Sequence, residues 1–221
     1  MMTTRAFSHL LMAVALAATS LAASADVIQY TDRTTFSGLG SIGFNYGFDD
    51  LDTSLAATGG TGLFFTGDPW TTHGVTYNTG SNLVIGPSSG LGLTSNVFTS
   101  NSSNPGGLAS GTLGGSYDLF GFDAGTILGS STVNITINTN LGAYRFLNQA
   151  AAAEPASSFF GFRAAAGEYF TSFLIADLAA GTVPSIDNVT LGIASPVPEP
   201  EAFSLLLPGL LLLMFAARRR G

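Results

Sequence analysis

Three carboxylates stand close together near the start of the chain: Asp49, Asp50 and Asp52. Paired carboxylates carry out acid and base chemistry in glycosidases, which hold two of them roughly 5–10 Å apart across a cleft. A tight acidic cluster also suits a hard cation, because calcium takes about six to eight oxygen ligands from carboxylates, amides and carbonyls. The third interpretation is a turn whose acids face solvent. The residues by themselves leave all three open.

The sequence gives little support for nucleophilic catalysis or for a transition-metal site. The chain has no cysteine, which excludes disulfides, thiolate metal sites and cysteine nucleophiles. Ser88 lies in a Gly-x-Ser-x-Gly spacing, but residues 91–94 do not resemble the helix start that this motif requires. The one histidine of the body, His73, precedes Ser88, whereas a hydrolase of that type needs it downstream. We therefore predict a protein that is not an enzyme, with no catalytic residues.

Charge restricts the choice of partners. Residues 26–193 contain no lysine, and three arginines face twelve acids there, a formal net charge of −9. Nucleic-acid binding needs a basic stripe and is excluded. Uncharged glycans and divalent cations suit such a body better than polyanions. Four aromatic residues in or beside predicted loops can stack on sugar rings or belong to the core: Tyr46, Trp70, Tyr77 and Phe98.

The elements that position these residues are mainly strands. A short helix is expected first, capped by Thr31 or Asp32 and ending at Gly38 or Gly40. Residues 131–138 form the clearest strand, since apolar and polar side chains alternate strictly there. The alanine run at 150–153 is expected to form a helical turn stopped by Pro155. Further strands are predicted at 75–78, 83–85, 117–122, 159–162, 169–175 and 186–193. Many short strands joined by glycine-rich turns predict a single antiparallel β-sandwich of the jelly-roll type.

The first 25 residues have the pattern of a signal peptide. Arg5 provides the positive start, residues 10–18 form a short apolar run, and Ala23 and Ala25 flank a cleavage signal of small residues. We therefore expect signal peptidase to remove this segment and leave Asp26 as the first residue. The body is then exported across the inner membrane.

The C-terminal segment, residues 195–221, combines three features in order. Val197, Pro198, Glu199 and Pro200 come first, an apolar run follows at 202–217, and Arg218, Arg219 and Arg220 come next. As a helix the run would be roughly 24 Å long, shorter than the ~30 Å hydrocarbon core of a bilayer. The arginines favour the cytoplasmic side of the inner membrane, which leaves the body, residues 26–194, outside.

This order of features resembles the PEP-CTERM sorting signal. The resemblance implies recognition of Val197, Pro198, Glu199 and Pro200 by an exosortase, a membrane-embedded transpeptidase-like enzyme of Gram-negative bacteria, and only a transient stay in the inner membrane. It implies an exported surface or extracellular-matrix protein associated with exopolysaccharide and biofilm. The alternative is a carbohydrate-binding module with a defined glycan ligand, and a glycosidase-type enzyme is the least expected.

The body resembles the β-sandwich ectodomains that precede such tails, and galactose-binding-like jelly rolls. The resembling stretches are residues 48–51, 74–77, 160–162 and 185–189. In galactose-binding-like jelly rolls the first and last strands lie close together and often share a structural calcium. The resemblance therefore implies that Asp49 or Asp50 meets Asp187 at a calcium site. The competing interpretation is a set of ordinary turn acids.

Overall fold

A computed structural model of the chain describes residues 26–51, 62–64, 70–78, 82–87, 91–100, 108–179 and 181–196. The predicted signal peptide, the sorting segment from Val197 onward, Asp52 and Ser88 lie outside these residues. Asp26–Ser195 forms one compact unit. No helix in the described part of the chain has the length and hydropathy needed to span a membrane.

The predicted short helix is present as α1, Arg33–Ser37. Asp32 is its N-cap, and its Oδ1 accepts a hydrogen bond from the Thr35 backbone N–H at 2.7 Å. Gly38 closes the helix at the other end. Phe36 is fully buried and fixes α1 against the sheet beneath it.

The described strands form two sheets. Sheet A has the order β3-β6-β7-β14-β9-β12-β1, with β2 beside the C-terminal half of β14. Sheet B has the order β11-β10-β13-β8-β5-β4. The strands are β1 (Ile28–Tyr30), β2 (Gly40–Tyr46), β3 (Gly62–Phe64), β4 (Trp70–Thr72), β5 (Val75–Tyr77), β6 (Asn82–Ile85), β7 (Val97–Ser100), β8 (Leu108–Leu113), β9 (Leu119–Ile127), β10 (Ser131–Thr139), β11 (Ala143–Ala153), β12 (Ser158–Arg163), β13 (Phe170–Asp177) and β14 (Val183–Ala194).

The core lies between the two sheets. Phe120 of β9 meets Phe173 of β13 with ring centroids 5.2 Å apart, and Tyr77 of β5 meets Phe98 of β7 at 4.8 Å. On β10 the three predicted inward side chains are fully buried and alternate with partly exposed polar ones. The predicted mainly β sandwich is therefore confirmed, although it is not wholly antiparallel.

The prediction of a helical turn at residues 150–153 is wrong. These alanines end β11, where Ala150 and Ala151 pair with β10 of sheet B, and Ala152 and Ala153 pair in parallel with β9 of sheet A. A run of four alanines is too short to offset the cost of helix nucleation. Ladder hydrogen bonds to both sheets and the burial of Ala151 favour the strand instead. β11 thereby joins sheet B to sheet A.

Candidate functional site

The segment that leaves β2, residues 46–50, has a different site on each side. Tyr46 pairs with Val189 of β14, so the chain leaves β2 beside the point where the β14 register shifts. Phe48 has a positive φ of 57° and is fully buried in the core. Its ring lies 5.5 Å from that of Tyr77 and 6.0 Å from that of Phe98. This anchor fixes where the flanking residues Gly47, Asp49 and Asp50 lie.

Asp49 and Asp187 meet around Gly47. A Cβ at Gly47 would lie 3.3 Å from Oδ1 of Asp187, 3.7 Å from Oδ2 of Asp49 and 3.2 Å from Oδ1 of Asn188. Three side-chain oxygens thus converge on Gly47, and a Cβ at this position would be in tight contact with those of Asp187 and Asn188. The structure brings the first acidic cluster to the last strand through Asp49, while Asp50 lies on the other side of the segment.

Both carboxylates are held by hydrogen bonds. Oδ1 of Asp49 accepts from the backbone N–H of Asn96 at 3.0 Å. Asp187 accepts from Ser95 Oγ at 3.2 Å and from the backbone N–H of Asn188 at 2.7 Å. Burial, together with the charges of Asp49 and Asp123, raises the pKa of Asp187 to about 6, although these hydrogen bonds lower it.

Asp123 of β9 extends the acidic cluster across sheet A. It lies directly opposite Asp187 in the β9–β14 register. Its Oδ1 pairs with Nη2 of Arg33 at 2.8 Å, and its Oδ2 accepts from Nδ2 of Asn188 at 2.9 Å. The Arg33 guanidinium also lies 4.4 Å from the centre of the Phe159 ring. Arg33 therefore offsets the charge of Asp123, the acid with which it pairs.

Glu154 completes this face of sheet A. It accepts a hydrogen bond from Ser185 Oγ and lies over Gly125 of β9. Burial raises the pKa of Glu154, and the charge of Asp123 adds to the effect. We define Asp49, Asp123, Glu154 and Asp187 with Arg33 as the acidic face. The sequence did not indicate Asp123 or Glu154, because neither stands in an acidic pattern along the chain.

Metal binding at the acidic face is limited by the number of acids that converge. Within the described ranges, no three or more histidine, aspartate and glutamate side chains form a group that could hold a metal ion. What converges at Gly47 is two carboxylates and one amide oxygen. A calcium ion there would need backbone carbonyls and water for its remaining ligands.

The other side of residues 46–50 carries an aromatic surface. Asp50 is exposed, and its Oδ1 accepts from the Tyr46 hydroxyl at 2.6 Å. The exposed His73 ring stacks on Phe44, with centroids 4.4 Å apart and an angle of 15°, and lies 4.7 Å from Tyr46. Trp70 lies 6.3 Å from Tyr46. We define Phe44, Tyr46, Trp70 and His73 as the aromatic surface.

The predicted sugar-stacking aromatics separate into two pairs. Tyr77 and Phe98 have no exposed surface and belong to the core, so they cannot contact a ligand. Trp70 is half-buried and stacks on Tyr77 at 5.1 Å, whereas Tyr46 is 8% exposed. Phe44 was not predicted, although the alternation of residues 40–46 could have indicated it.

Comparison with known proteins identifies no family. No family model matches the chain, and no curated protein matches it. Among solved structures, it is similar to a family 29 carbohydrate-binding module from Piromyces equi, with 11% identity and a TM-score of 0.37, over 65% of this chain and 95% of that one. A mutant of a second family 29 module aligns with 14% identity and a TM-score of 0.32, over 79% and 100%. Similarities at this level assign neither a family nor a ligand.

Proposed function

We propose that the chain is an exported surface protein whose sandwich binds an uncharged glycan at the aromatic surface. The observation that carries this proposal is the stack of His73 on Phe44 beside Trp70, at an edge of the sandwich. Aromatic rings with a few fixed polar groups are the usual lining of small-ligand sites. Sugar rings match such a lining, because they offer apolar C–H faces and a rim of hydroxyls.

Asp50 supplies the fixed polar group. Its carboxylate is exposed and already oriented by Tyr46, so a sugar hydroxyl can donate to it without ordering a loose side chain. The Thr72 hydroxyl lies 2.7 Å from Nδ1 of His73 and holds the imidazole in place. The aromatic surface is therefore organised before a ligand arrives.

The charge of the body supports an uncharged ligand. A formal charge of −9 over residues 26–193 repels polyanions, including acidic polysaccharides. Binding to an uncharged glycan involves no counterion release, so its affinity should change little with salt. A strong salt dependence would instead indicate a charged ligand.

The binding test uses the exposed His73 and the half-buried Phe44 of the aromatic surface. We expect migration of the full-length protein to be slowed in native gels that contain dextran, galactomannan or mixed-linkage glucan, in a non-ionic detergent. Phe44→Ala and His73→Ala should weaken that retardation about tenfold or more. Tyr169→Ala is the matched control, since Tyr169 is an exposed aromatic residue outside the surface. The proposal is wrong if no uncharged glycan retards the wild type, or if all three variants behave like it.

Delivery by an exosortase is the second element of the proposal. It rests on the signal-peptide pattern and on the PEP-CTERM resemblance of residues 197–221. The last strand ends at Ala194, and Ser195 N–H donates to the Leu39 carbonyl at 2.8 Å. Residues 198–200 follow this anchored end, so substitutions there should leave the core intact.

Replacing Pro198, Glu199 and Pro200 together with alanine should leave the melting temperature unchanged and block sorting in the native host. Intact-mass analysis of surface-extracted protein should show the wild type beginning at Asp26 and lacking Arg220. Normal processing of the triple variant would refute recognition by an exosortase. A wild type that retains Met1 would refute signal cleavage.

A structural calcium ion at Gly47 is a further proposal. The convergence of Asp49, Asp187 and Asn188 oxygens supports it, and so does the galactose-binding-like resemblance. Among the predicted ligands, the structure favours Asp49 over Asp50 as the partner of Asp187, because Asp50 is bonded to Tyr46. Such an ion would reduce the repulsion between the two carboxylates and connect β2 to β14.

A further inference from the structure

The outer face of sheet B carries a row of small polar side chains. Five residues lie directly opposite one another in successive strands: Asn138 of β10, Ser172 of β13, Thr112 of β8, Thr76 of β5 and Thr71 of β4. Neighbouring strands are about 4.8 Å apart, so the row crosses roughly 19 Å of sheet. We call it the hydroxyl row. It contains three threonines, one serine and one asparagine.

A second row runs beside the first. Arg145, Thr136, Leu174 and Ser110 are opposite one another in β11, β10, β13 and β8. They stand two residues along each strand from the hydroxyl row, a separation of about 6.7 Å. Thr112 and Arg145 are exposed, and the other members of both rows are half-buried or exposed. The outer face is thus open to solvent.

No carboxylate stands on this outer face in the described strands of sheet B. Asp177 is in β13, but it is only 1% exposed, and its carboxylate accepts hydrogen bonds from Ser131 and Thr182. Glu168 precedes β13 and is buried, with its carboxylate bonded to the Tyr144 hydroxyl. In a body that is otherwise strongly acidic, Arg145 is the only formal charge that the described strands of sheet B place on this face.

Four of the five side chains of the hydroxyl row are joined in hydrogen-bonded pairs. Nδ2 of Asn138 donates to Oγ of Ser172 at 2.7 Å, and the hydroxyls of Thr71 and Thr76 are 2.9 Å apart. Threonine is also stiff about its first side-chain torsion. A ligand that bonds to these groups therefore loses little of its binding energy in immobilising them.

We infer that the outer face of sheet B is a contact surface for an extended, uncharged polysaccharide that lies across the strands along the hydroxyl row. The inference rests on the proposed glycan binding and adds a surface and a ligand class to it. Row hydroxyls and amides can exchange hydrogen bonds with sugar hydroxyls, and Leu174 offers an apolar contact for sugar C–H groups.

The charge pattern selects this ligand over a charged one. A polymer that binds this face removes no carboxylate of the described strands from water, which would be costly. A polyanion would meet one arginine on this face and the negative field of the rest of the body. The row also ends on β4, the edge strand that carries Trp70 of the aromatic surface. One polymer chain can therefore extend from the row toward that surface.

The test places a charge in the middle of the row. Thr112→Glu puts a carboxylate where the row is exposed, and Thr112→Ser is the conservative variant. Thr34→Glu is the matched control, because Thr34 is an exposed threonine on α1, over the other sheet. Each full-length protein is run in native gels with dextran, galactomannan or mixed-linkage glucan in non-ionic detergent, and its melting temperature is measured.

We expect the affinity of Thr112→Glu for the glycan to be at least tenfold lower than that of the wild type, with an unchanged melting temperature. Thr112→Ser and Thr34→Glu should bind as the wild type does. If Thr112→Glu binds as tightly as the wild type while Phe44→Ala does not, the aromatic surface alone binds glycan and the inference about sheet B is wrong. Retardation of the wild type only by a charged polymer such as alginate would overturn it as well. Absence of any retardation would overturn both proposals.

Discussion

The two outer faces of the sandwich differ in cover and in charge. On sheet A, Phe36 and Phe159 lie over Gly121, and a separate small cluster of buried residues includes Ile127 farther along β9. The acids of the acidic face stand between these two apolar covers. On sheet B the outer face carries short neutral side chains and one arginine, and nothing in the described chain covers it. The acidic face thus brings four carboxylates to sheet A, whereas the described strands of sheet B place none on their outer face.

This segregation separates two roles. Sheet A holds its acids partly out of water, where their protonation and any bound cation change stability. The outer face of sheet B carries hydroxyl and amide groups whose hydrogen bonds with water are similar to those they can form with sugar hydroxyls. This face can therefore contact a glycan at a small cost in desolvation free energy. A sandwich with evenly mixed charge on both faces would have neither property.

The largest expected effect separates the covered face from the open one. Phe36→Ala should destabilise the body by roughly 3–4 kcal/mol, because it removes a fully buried ring that packs over Gly121 and Gly161. Leu174→Ala on sheet B should cost less than about 1 kcal/mol, because that side chain is half-exposed. Urea unfolding of fragment 26–195 measures both. Equal losses would mean that sheet B has a cover of its own.

Calcium should distinguish the faces next. Saturation at a hundredfold excess over Kd would stabilise the fragment by about 2.7 kcal/mol, which raises the melting temperature by roughly 5–10 °C. Asp49→Asn and Asp187→Asn should abolish the shift, since both oxygens converge on Gly47, whereas Asp50→Asn should retain most of it. Identical wild-type melting in calcium and in chelator would show that there is no calcium site.

The sequence predicted the secondary-structure elements better than it predicted which residues meet in the folded chain. The α1 helix and β10 follow from capping and from alternation, both of which are local patterns. The meeting of Asp123 with Asp187 depends on the β9–β14 register, which links residues 64 positions apart. The sequence left Tyr77 and Phe98 open between the surface and the core because they lie in or beside predicted loops, and tertiary packing buries both completely.

The smallest expected effect concerns pH, and two aspartates should respond in opposite directions. The pKa of Asp187 is raised to about 6, so between about pH 4 and 6 the folded state binds more protons than the unfolded state. Stability from this group is present below that range and lost as pH rises through it. In chelator, Asp187→Asn should therefore be more stable than the wild type at pH 7.5, by about 1 kcal/mol once partial exposure is allowed for. At pH 4.5 most of this difference should vanish.

Asp32 is the control of opposite sign. Its hydrogen bonds to Thr35 at the start of α1 lower its pKa, so its contribution is present at neutral pH and lost on acidification. Asp32→Asn should therefore be less stable than the wild type at pH 7.5 and approach it at low pH, while Asp187→Asn approaches it from the other side. Urea unfolding of the wild type and both variants at pH 7.5 and 4.5 measures these two stability differences. If Asp187→Asn is destabilised at pH 7.5 in chelator, its carboxylate is stabilising when ionised, and the acidic face is better solvated than its burial implies.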